Sequence, residues 1–486
     1  MQAFSEALYR VAQIRQAEQL AIQQLQMPGI QLMQHAGLAV FDHLRERWRD
    51  QNQLSIFCGA GNNAGDGYIV AALSLQAGFD VTVYSLTEVS ELKGDALIAY
   101  QMFRQAGGVV ASFSDAASID GIVIDALLGT GLNRSVNDRY AAAIDVINQA
   151  TGPVVAVDVP SGLQADTGCV MGVAVKAQLT VTFIGLKPGL FTGEAREYCG
   201  EIVCDDLNLP EAVLSGMPVL ARLFKKPVLL PRSRSAHKGH MGHVLLIGGN
   251  HGYNGAIRLA GEAALRAGVG LVSIATRAAH APIMNIGRPE LMCHAVEVLE
   301  DIQDLLGKAS VVVIGPGLGQ DEWAQTLLNA VIELDKPCVI DADALNLLVK
   351  RPHVKQNWIL TPHPGEAARL LACTTQQIAE DRYSAVRNLQ SRFGGVCVLK
   401  GAGSLIADAE QIFVSTTGNP GMASGGMGDV LSGVVAALLA QGLSNIEAAK
   451  LAVHVHGEAA DQLAQDMGER GLLASDLFPK IQALLN

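Results

Sequence analysis

Short runs of apolar residues alternate with longer stretches of mixed polarity along most of the chain, a rhythm typical of βαβ units. Between about Gln53 and Leu207 the runs are LSIFCGAG, DVTVYSL, GIVIDALLGTG, PVVAVDVPSG, LTVTFIG and EIVCDD. Runs that lack polar alternation indicate parallel strands buried on both faces of a sheet. Residues 1–50 instead carry apolar positions at helical spacing, and they predict helices.

A second series of apolar runs follows residues 215–238, a stretch of weaker pattern with several prolines and basic residues. These runs are HVLLIGGN, GLVSIAT, SVVVIGPG, CVIDAD, WILTPHPG, VCVLKGAG, SLIAD and QIFVST, and helices close the chain, one of them over 445–465. The two halves share a rhythm but not their motifs. The sequence therefore predicts two α/β domains, residues 1–220 and 221–486.

Composition narrows the class of protein. Hydrophobic residues make up 49% of the 486 residues and there are 51 glycines, which suits buried parallel strands joined by glycine-containing loops. The net charge of −12 argues against general binding to nucleic acid or anionic membranes. No stretch reaches membrane-spanning length and the N-terminus lacks an export signal, so we expect a cytoplasmic protein. The eight cysteines are interpreted as reduced core residues.

The segment NPGMASGGMGD, residues 419–429, runs directly into the apolar stretch 430–440. Glycines 425, 426 and 428 allow main-chain amides to converge just before a buried helix, and such a point attracts anions. Asp429 is unfavourable beside a bound phosphate unless it has a chemical role. Its most direct role is to take a proton from a hydroxyl that attacks phosphorus. The alternative is a glycine turn followed by an ordinary acidic residue at a helix N-terminus.

In the first half, the segment GAGNNAGDG, residues 59–67, joins a strand to a helix, which is a favourable place for a phosphate. A dinucleotide fingerprint would require an acidic residue at the end of the next strand, but DVTVYSL ends in Leu86 and Thr87. The pattern therefore favours a nucleotide-like ligand that is held without hydride transfer.

Two later strand ends contribute Asp125 and Asp158. They lie at the carboxyl ends of parallel strands, where open α/β sheets place their sites. The oxygens of Asn63, Asp125 and Ser161 are donors suited to an alkali or alkaline-earth ion. The two aspartates are equally compatible with helix capping.

Taken together, these motifs resemble a known family over nearly the whole chain. The N-terminal half resembles a YjeF N-terminal domain, an NAD(P)H-hydrate epimerase, and the C-terminal half resembles a ribokinase-like ADP/ATP-dependent NAD(P)H-hydrate dehydratase. The resemblance implies a Rossmann-like three-layer sandwich followed by a ribokinase-like three-layer sandwich. Ala64 departs from the usual NNGGDG. The motifs are GAGNNAGDG, LLGTGLNRS, DVPSG, HKGHMGHVLLIGG, NGAIRLAGEAALRAG, GPGLG, DADAL, LTPHPGEAARLL, KGAG and NPGMASGGMGDVLSG.

For the C-terminal half, the resemblance implies repair of a hydrated nicotinamide ring. Phosphorylation of the ring hydroxyl would make it a better leaving group, with Asp429 as the base. ADP or ATP, with Mg²⁺ on its phosphates, would be bound by Lys400, Gly401, Ala402, Gly403, Ser404 and Gly428. The hydrate would contact Ala256, Gly317, His363 and Asp429.

For the N-terminal half, the resemblance implies interconversion of the R and S hydrates. Asp158 is the expected acid or base, with Lys187 as a weaker helper, and K⁺ would be held by Asn63, Asp125 and Ser161. The substrate would be bound by Asn62, Asn63, Ala64, Gly65, Asp66, Gly129, Thr130, Gly131, Leu132, Asn133, Arg134, Ser135, Tyr140 and Asp158.

Two alternatives stay open at the level of the sequence. The C-terminal half is also compatible with a ribokinase-like vitamin-precursor kinase, and the N-terminal half with a non-catalytic nucleotide-binding module. His237, His240 and His243 have a spacing that suggests a metal, but they lack a fourth ligand. We expect NADHX or NADPHX and ADP or ATP as partners, no nucleic acid, no membrane, and a homo-oligomer.

Overall fold

The computed structural model describes residues 6–113, 119 and 121–486, and the chain divides into two compact units, Met1–Arg222 and Leu223–Asn486. Each unit is built on a largely parallel sheet, so the predicted α/β fold class is confirmed. Among the described residues, no helix is both long and apolar enough to cross a lipid bilayer.

The first unit contains a parallel sheet with the strand order β4-β3-β2-β5-β6-β7-β8. Its strands are β1 (Ala7–Leu8), β2 (Gln53–Cys58), β3 (Asp80–Ser85), β4 (Val110–Ser112), β5 (Ile122–Ala126), β6 (Val154–Val157), β7 (Leu179–Phe183) and β8 (Glu201–Asp205), and β9 (Ala221–Leu223) at its end pairs antiparallel with β1. Its helices are α1 (Val11–Gln24), α2 (Gly29–Arg47), α3 (Asn62–Gln76), α4 (Gly94–Gln105) and α5 (Asp138–Asn148).

Both faces of this sheet are covered, as the apolar runs predict. Ile56 and Ile124 point into a core with α2, α3 and α4, whereas Phe57 and Val123 point to the other side, against α5. Successive side chains of a strand alternate between faces, so a run with no polar residues fills two cores at once. The first unit is therefore a three-layer sandwich.

The second unit has the strand order β18-β17-β16-β15-β14-β13-β10-β11-β12. Its strands are β10 (His243–Ile247), β11 (Leu271–Thr276), β12 (Leu291–Ala295), β13 (Val311–Ile314), β14 (Cys338–Ile340), β15 (Trp358–Leu360), β16 (Val396–Leu399), β17 (Leu405–Ala407) and β18 (Ile412–Val414). Its helices are α6 (Asn254–Arg266), α7 (Glu300–Lys308), α8 (Glu322–Ile332), α9 (Ala342–Leu348), α10 (Pro364–Leu371), α11 (Thr375–Glu380), α12 (Arg382–Phe393), α13 (Met427–Ala440), α14 (Asn445–Met467) and α15 (Leu477–Leu484).

One face of this second sheet packs against α6, α13, α14 and α15 in a single apolar core, and helices α8 and α12 contact strands β13 and β16. Across the sheet from β12 to β16 the strands are parallel, whereas β17 and β18 extend the sheet as an antiparallel hairpin. Helix α13, which follows the glycine segment, lies in the middle of the core: Val430, Val434 and Leu438 are fully buried.

The sequence pattern missed four described strands, β1, β4, β9 and β12. Strands β4 and β12 lie at the edges of their sheets and are only partly buried, so they carry polar residues in place of an apolar run. The two residues of β1 precede α1, which means that residues 1–50 are not entirely helical where they are described.

Candidate active sites

A cavity of about 670 Å³ opens at the carboxyl ends of the first-unit strands. The loops after β2, β5 and β6 meet here, as expected of an open parallel sheet. Predicted substrate residues that line it are Asn62, Asn63, Asp66, Gly129, Thr130, Gly131, Leu132, Asn133, Arg134, Ser135, Tyr140 and Asp158. Ala64 and Gly65 instead lie in the buried first turn of α3, and a side chain at Gly65 would collide with Met33.

Asp158 is held at the end of β6 by a buried lysine. Its main chain has φ +66, a left-handed conformation that few non-glycine residues adopt. Lys187 Nζ donates to Asp158 Oδ1 at 2.6 Å, and Thr182 Oγ1 donates to the same oxygen at 3.0 Å. This geometry orients one carboxylate oxygen and leaves the group at the cavity wall.

Asp125 and Ser161 form a buried network beneath this wall. Ser161 donates to Asp125 through its main-chain amide at 2.7 Å and through its hydroxyl at 2.5 Å. The Ser161 hydroxyl also accepts from the Leu128 amide at 2.8 Å. Burial raises the pKa of Asp125 to about 6, although the Ser161 hydrogen bonds lower it. The network joins the ends of the adjacent strands β5 and β6. The N-cap of α5, the helix that follows β5, is Asn137 and not Asp125.

Asn63 has an unusual environment. Its side chain is 8% exposed, and both its oxygen and its nitrogen have no hydrogen-bond partner among the described residues. A Cβ at Gly129 would lie 3.3 Å from this side chain, which places the amide against the loop that follows β5. Buried amides of this kind are rare, because losing water without a replacement costs free energy.

Sequence reasoning missed the contribution of α1 to the cavity, which is lined by Arg15, Glu18 and Ile22. Their spacing of three and four residues, which places side chains on one face of a helix, is the sequence feature that indicates a shared surface. Burial raises the pKa of Asp66 well above its ordinary value, and the carboxylates of Asp158 and Glu18 raise it further. The cavity therefore concentrates acidic groups.

In the second unit, the glycine segment forms the start of α13. Gly426 is the N-cap residue, with φ +91, and Asp429 lies in the first helical turn. The left-handed conformation at Gly426 is one that other residues rarely tolerate. Because Gly426 occupies the cap, Asp429 is not the capping residue.

A lysine and two further acidic residues gather beside this turn. Lys400 Nζ donates to Asp341 Oδ1 at 3.0 Å and lies 4.0 Å from Glu366 Oε2. Ser432 donates to the other oxygen of Asp341 at 2.7 Å. A Cβ at Gly428 would lie only 3.1 Å from Lys400 Nζ, so glycine allows the main chain of α13 to approach the ammonium group.

These charges change the proton affinity of the acidic residues. Burial raises the pKa of Asp429 to about 7, Asp341 adds to the rise and Lys400 opposes it. Burial also raises the pKa of Glu366 to about 7, again opposed by Lys400. A carboxylate with a pKa near neutrality is suited to accept a proton from a hydroxyl.

Apart from Asp429, the predicted hydrate contacts lie at two places. Gly317 has φ +59, and a Cβ there would lie 2.4 Å from the Tyr253 carbonyl, just before the first turn of α6 that carries Ala256. His363 is the N-cap of α10, where Nδ1 accepts from the Gly365 amide at 3.0 Å. Its Nε2 lies 3.4 Å from Glu366 Oε1, so His363 both caps α10 and lies beside the acidic cluster.

The predicted nucleotide residues 400–404 form the turn between β16 and β17. Ser404 Oγ donates to the Gly401 carbonyl at 2.9 Å, and the Lys400 amide donates to the Pro362 carbonyl at 2.9 Å. Gly401 has φ +137 and lies against Arg382, which donates to the Lys400 carbonyl at 3.3 Å. The turn brings Lys400 to the acidic cluster, with Gly401 to Ser404 following it along the hairpin.

Asp341 and Glu366 are functional-site residues that the sequence alone does not single out, although they stand inside the motifs DADAL and LTPHPGEAARLL. The same is true of Ser432, one turn after Asp429. The described residues, which include the three histidines of HKGHMGH, contain no group of three His, Cys, Asp or Glu side chains placed to hold an ion. The ring centroids of His237 and His240 lie 3.6 Å apart, with the ring planes tilted by 34°.

Comparisons with known proteins agree with this two-site arrangement. Residues 244–483 match the family described as NAD(P)H-hydrate dehydratase, and residues 29–189 match the YjeF-related protein N-terminus. The chain is 48% identical to the bifunctional NAD(P)H-hydrate repair enzyme Nnr of Coxiella burnetii, over 99% of both chains. It is 44% identical to the enzyme of that name from Escherichia coli, over 97% of this chain and 93% of the relative.

A solved structure supports the fold of the second unit. A ribokinase-like superfamily protein from Enterococcus faecalis is 30% identical, with a TM-score of 0.51, and the match covers 55% of this chain and 95% of that one. Both family matches and both full-length relatives lead to one assignment. The chain belongs to the bifunctional NAD(P)H-hydrate repair enzymes, which carry an epimerase and a dehydratase in one polypeptide.

Proposed function

We propose that the second unit dehydrates the hydrated nicotinamide by phosphorylating its ring hydroxyl, with Asp429 as the general base. The observation that carries this proposal is the position of Asp429 in the first turn of α13, directly after the glycine N-cap and with its pKa raised to about 7 by burial. The carboxylate takes the hydroxyl proton, and the oxygen attacks the terminal phosphorus while the rest of the nucleotide leaves. The ring nitrogen then expels phosphate to form a C=N bond, and loss of a proton from the neighbouring ring carbon restores the C=C bond of the reduced nicotinamide. Family membership favours this reaction over that of a vitamin-precursor kinase, which would keep the phosphate on its product.

The phosphates of ADP or ATP are bound between Lys400 and the start of α13. The glycine amides before Asp429 and the positive end of the helix dipole stabilise the transferring phosphoryl group. Lys400 supplies a cation that lies against Gly428. The turn of residues 401–404 holds the rest of the nucleotide, and Ala256, Gly317 and His363 contact the hydrate.

Magnesium fits this site as an ion carried by the nucleotide. Asp341 and Glu366 already face Lys400, and the described residues contain no group of three His, Cys, Asp or Glu side chains placed to hold a metal. Mg²⁺ is commonly bound by one or two carboxylates together with substrate phosphates. When bound, it would neutralise phosphate charge; Asp341 and Glu366 are the carboxylates available to it.

We propose that the first unit interconverts the R and S hydrates in its cavity of about 670 Å³. Asp158 exchanges protons with the ring substituent, and Lys187 holds that carboxylate in position through its 2.6 Å contact. The substrate lies against the loop 129–135, against Tyr140 and against the first turns of α3, through Asn62, Asn63 and Asp66. Asp125 and Ser161 support the loop after β5 through the hydrogen bond between Ser161 and Leu128.

Potassium fits the residues predicted for it. The Asn63 side-chain oxygen is buried without a partner among the described residues, and Asp125 is a buried carboxylate whose hydrogen-bond partners, Ser161 and Leu127, are neutral. A monovalent cation with oxygen ligands would satisfy the oxygen of the Asn63 amide and offset the charge of Asp125. Asn63, Asp125 and Ser161 would hold it, and its chemistry would be to order the loop that binds the substrate.

One assay tests both proposals with the full-length protein. An R/S mixture of NADHX is incubated with ADP or ATP, and absorbance of the reduced nicotinamide is followed together with released phosphate. We expect complete recovery of NADH with one phosphate per NADH. A stable phosphorylated product without NADH would identify a kinase instead, and recovery of only half the mixture would show that the first unit does not epimerise. Oligomeric state and location in the cytoplasm stay predictions from the sequence.

A further inference from the structure

Helix α1 covers the cavity of the first unit. Ile14 lies 3.0 Å from the position of a Cβ at Gly185, which follows β7. Arg15 lies 3.7 Å from the corresponding position at Gly131, in the loop that follows β5. The helix therefore lies beside the segments that follow β5 and β7, at the carboxyl ends of the strands.

One face of α1 is turned into the cavity. Arg15, Glu18 and Ile22 line it, and positions separated by three and four residues share a helix face. Burial raises the pKa of Glu18, Asp158 raises it further, and Lys187 and Arg15 lower it. Asp66 on α3 belongs to the same group of charges, since Glu18 and Asp158 both raise its pKa. The Glu18 carboxyl group is thus close enough to Asp158 and Lys187 for their charges to interact.

Inversion at the carbon beside the ring nitrogen requires two proton transfers. The nitrogen lone pair forms a C=N bond while the C–O bond breaks, and the departing oxygen takes a proton from an acid to leave as water. Water then adds to the other face: its oxygen forms the new C–O bond, the C=N electrons return to nitrogen, and a proton passes to a base. A carboxylate fixed on one side of the ring reaches only one of these faces.

We propose that Glu18 is the second catalytic residue of the epimerase, and that it exchanges protons on the ring face opposite to Asp158. This inference rests on the proposed function of the first unit. Asp158 is fixed at the strand ends by Lys187, whereas Glu18 lines the same cavity from a different element, helix α1. The helix that precedes the recognised glycine loops is therefore part of the catalytic machinery.

The test uses the full-length protein, Glu18→Gln and H₂¹⁸O, without nucleotide, so that dehydration does not remove the hydrate. Inversion of each epimer and exchange of its hydroxyl oxygen with solvent are measured above the rate without enzyme. We expect the variant to invert roughly 10²-fold more slowly. The epimer whose hydroxyl faces Asp158 should still exchange oxygen, with retention, so the ratio of inversion to exchange falls. Gln19→Ala, which is exposed on the same helix, is the control and should change neither rate.

The outcomes separate the possibilities. Unchanged inversion in Glu18→Gln, or equal losses of inversion and exchange, overturns the catalytic role. Wild-type protein that neither inverts nor exchanges would refute the epimerase function itself. If Glu18→Gln does not fold, Glu18→Asp carries the test, because it keeps the carboxyl group but withdraws it by one methylene. A reduced ratio in that variant supports the role, and a wild-type ratio overturns it.

Discussion

Each unit sets a lysine against an aspartate at the carboxyl ends of its strands, but the two lysines are in different states. Lys187 Nζ donates to three acceptors at 2.6, 2.7 and 2.9 Å, and its side chain is 1% exposed. Lys400 Nζ donates to Asp341 at 3.0 Å, its side chain is 19% exposed, and it faces the glycine turn of α13.

The difference indicates what each lysine does. An ammonium group has three N–H donors, and Lys187 uses all of them within the protein. It therefore fixes Asp158 and has no donor left for a substrate. Lys400 retains donors next to a helix N-terminus, where an anion is favoured by both the dipole and the charge. The first lysine positions a carboxylate, and the other is available to a phosphate.

The largest expected effect tests whether the two sites work independently. Asp429→Asn should lower NADH recovery by roughly 10²- to 10⁴-fold, since an amide cannot accept the hydroxyl proton. R/S interconversion should continue, because that chemistry belongs to the first unit. Turnover, epimerisation and the affinity for ADP or ATP are measured on the same preparation.

Near-normal nucleotide affinity with lost turnover supports the role of a base. A matched control is Asp304→Asn, which is exposed on α7 and should leave both activities unchanged. Loss of both activities in a folded Asp429→Asn protein would contradict the two-site interpretation. Retention of most of the turnover would leave the phosphorylation step without a base.

The two lysines can be compared directly by the same substitution. Lys400→Met should raise the KM for the nucleotide roughly tenfold or more, because a charge-assisted hydrogen bond contributes about 1.5–3 kcal/mol. Lys187→Met should instead lower the stability of the first unit by about 2 kcal/mol, since Asp158 loses its buried partner. Steady-state kinetics and urea unfolding measure the two effects. The reverse pattern, with weak nucleotide binding only in Lys187→Met, would overturn the contrast.

Removing ions should slow the two reactions to different extents, with smaller effects than these substitutions. Replacing K⁺ by tetramethylammonium should slow epimerisation more than dehydration, because the unpartnered Asn63 amide and Asp125 lie in the first unit. Chelation of divalent ions should do the opposite, since only the second unit handles nucleotide phosphates. Asn63→Ala should remove the response to K⁺ and leave the response to chelation. Equal sensitivity of both reactions to both treatments would contradict the ion assignments.

Much of this architecture could be predicted from the sequence, and the reason is physical. Buried parallel strands require apolar runs, and glycine segments mark the places where main chain approaches a ligand. That logic located the ends of β2, β5 and β6 and the start of α13. It missed the edge strands β4 and β12, because edge strands are partly exposed and lack such runs.

The charge balance of the sites could not be predicted in this way. Asp341, Glu366 and Lys400 are 25 and 34 residues apart in sequence, and only the parallel order of β14, β15 and β16 brings them together. Glu18 resembles any polar residue of an amphipathic helix until α1 is seen to cover the cavity. Local patterns identify loops with potential function, whereas the pairing of charges between loops depends on strand order.

The smallest predicted effect concerns the free energy of unfolding of the second unit, which the charged form of Asp429 lowers. Its pKa is about 7 in the folded protein, against about 3.9 for an unfolded aspartate. The folded state therefore binds more protons between pH 4 and 7, so stability falls as pH rises through that window and then levels off. Asp429→Asn cannot lose stability in this way, so its free energy of unfolding should exceed that of the wild type by about 1 kcal/mol at pH 8 and by little near pH 4. The difference is no larger because solvent screens the charge of a partly exposed group. A Trp48→Phe background confines tryptophan fluorescence to Trp323 and Trp358 of the second unit during urea unfolding. A stability difference that does not vary with pH would mean that Asp429 has an ordinary pKa and is no better placed to act as a base than a surface carboxylate.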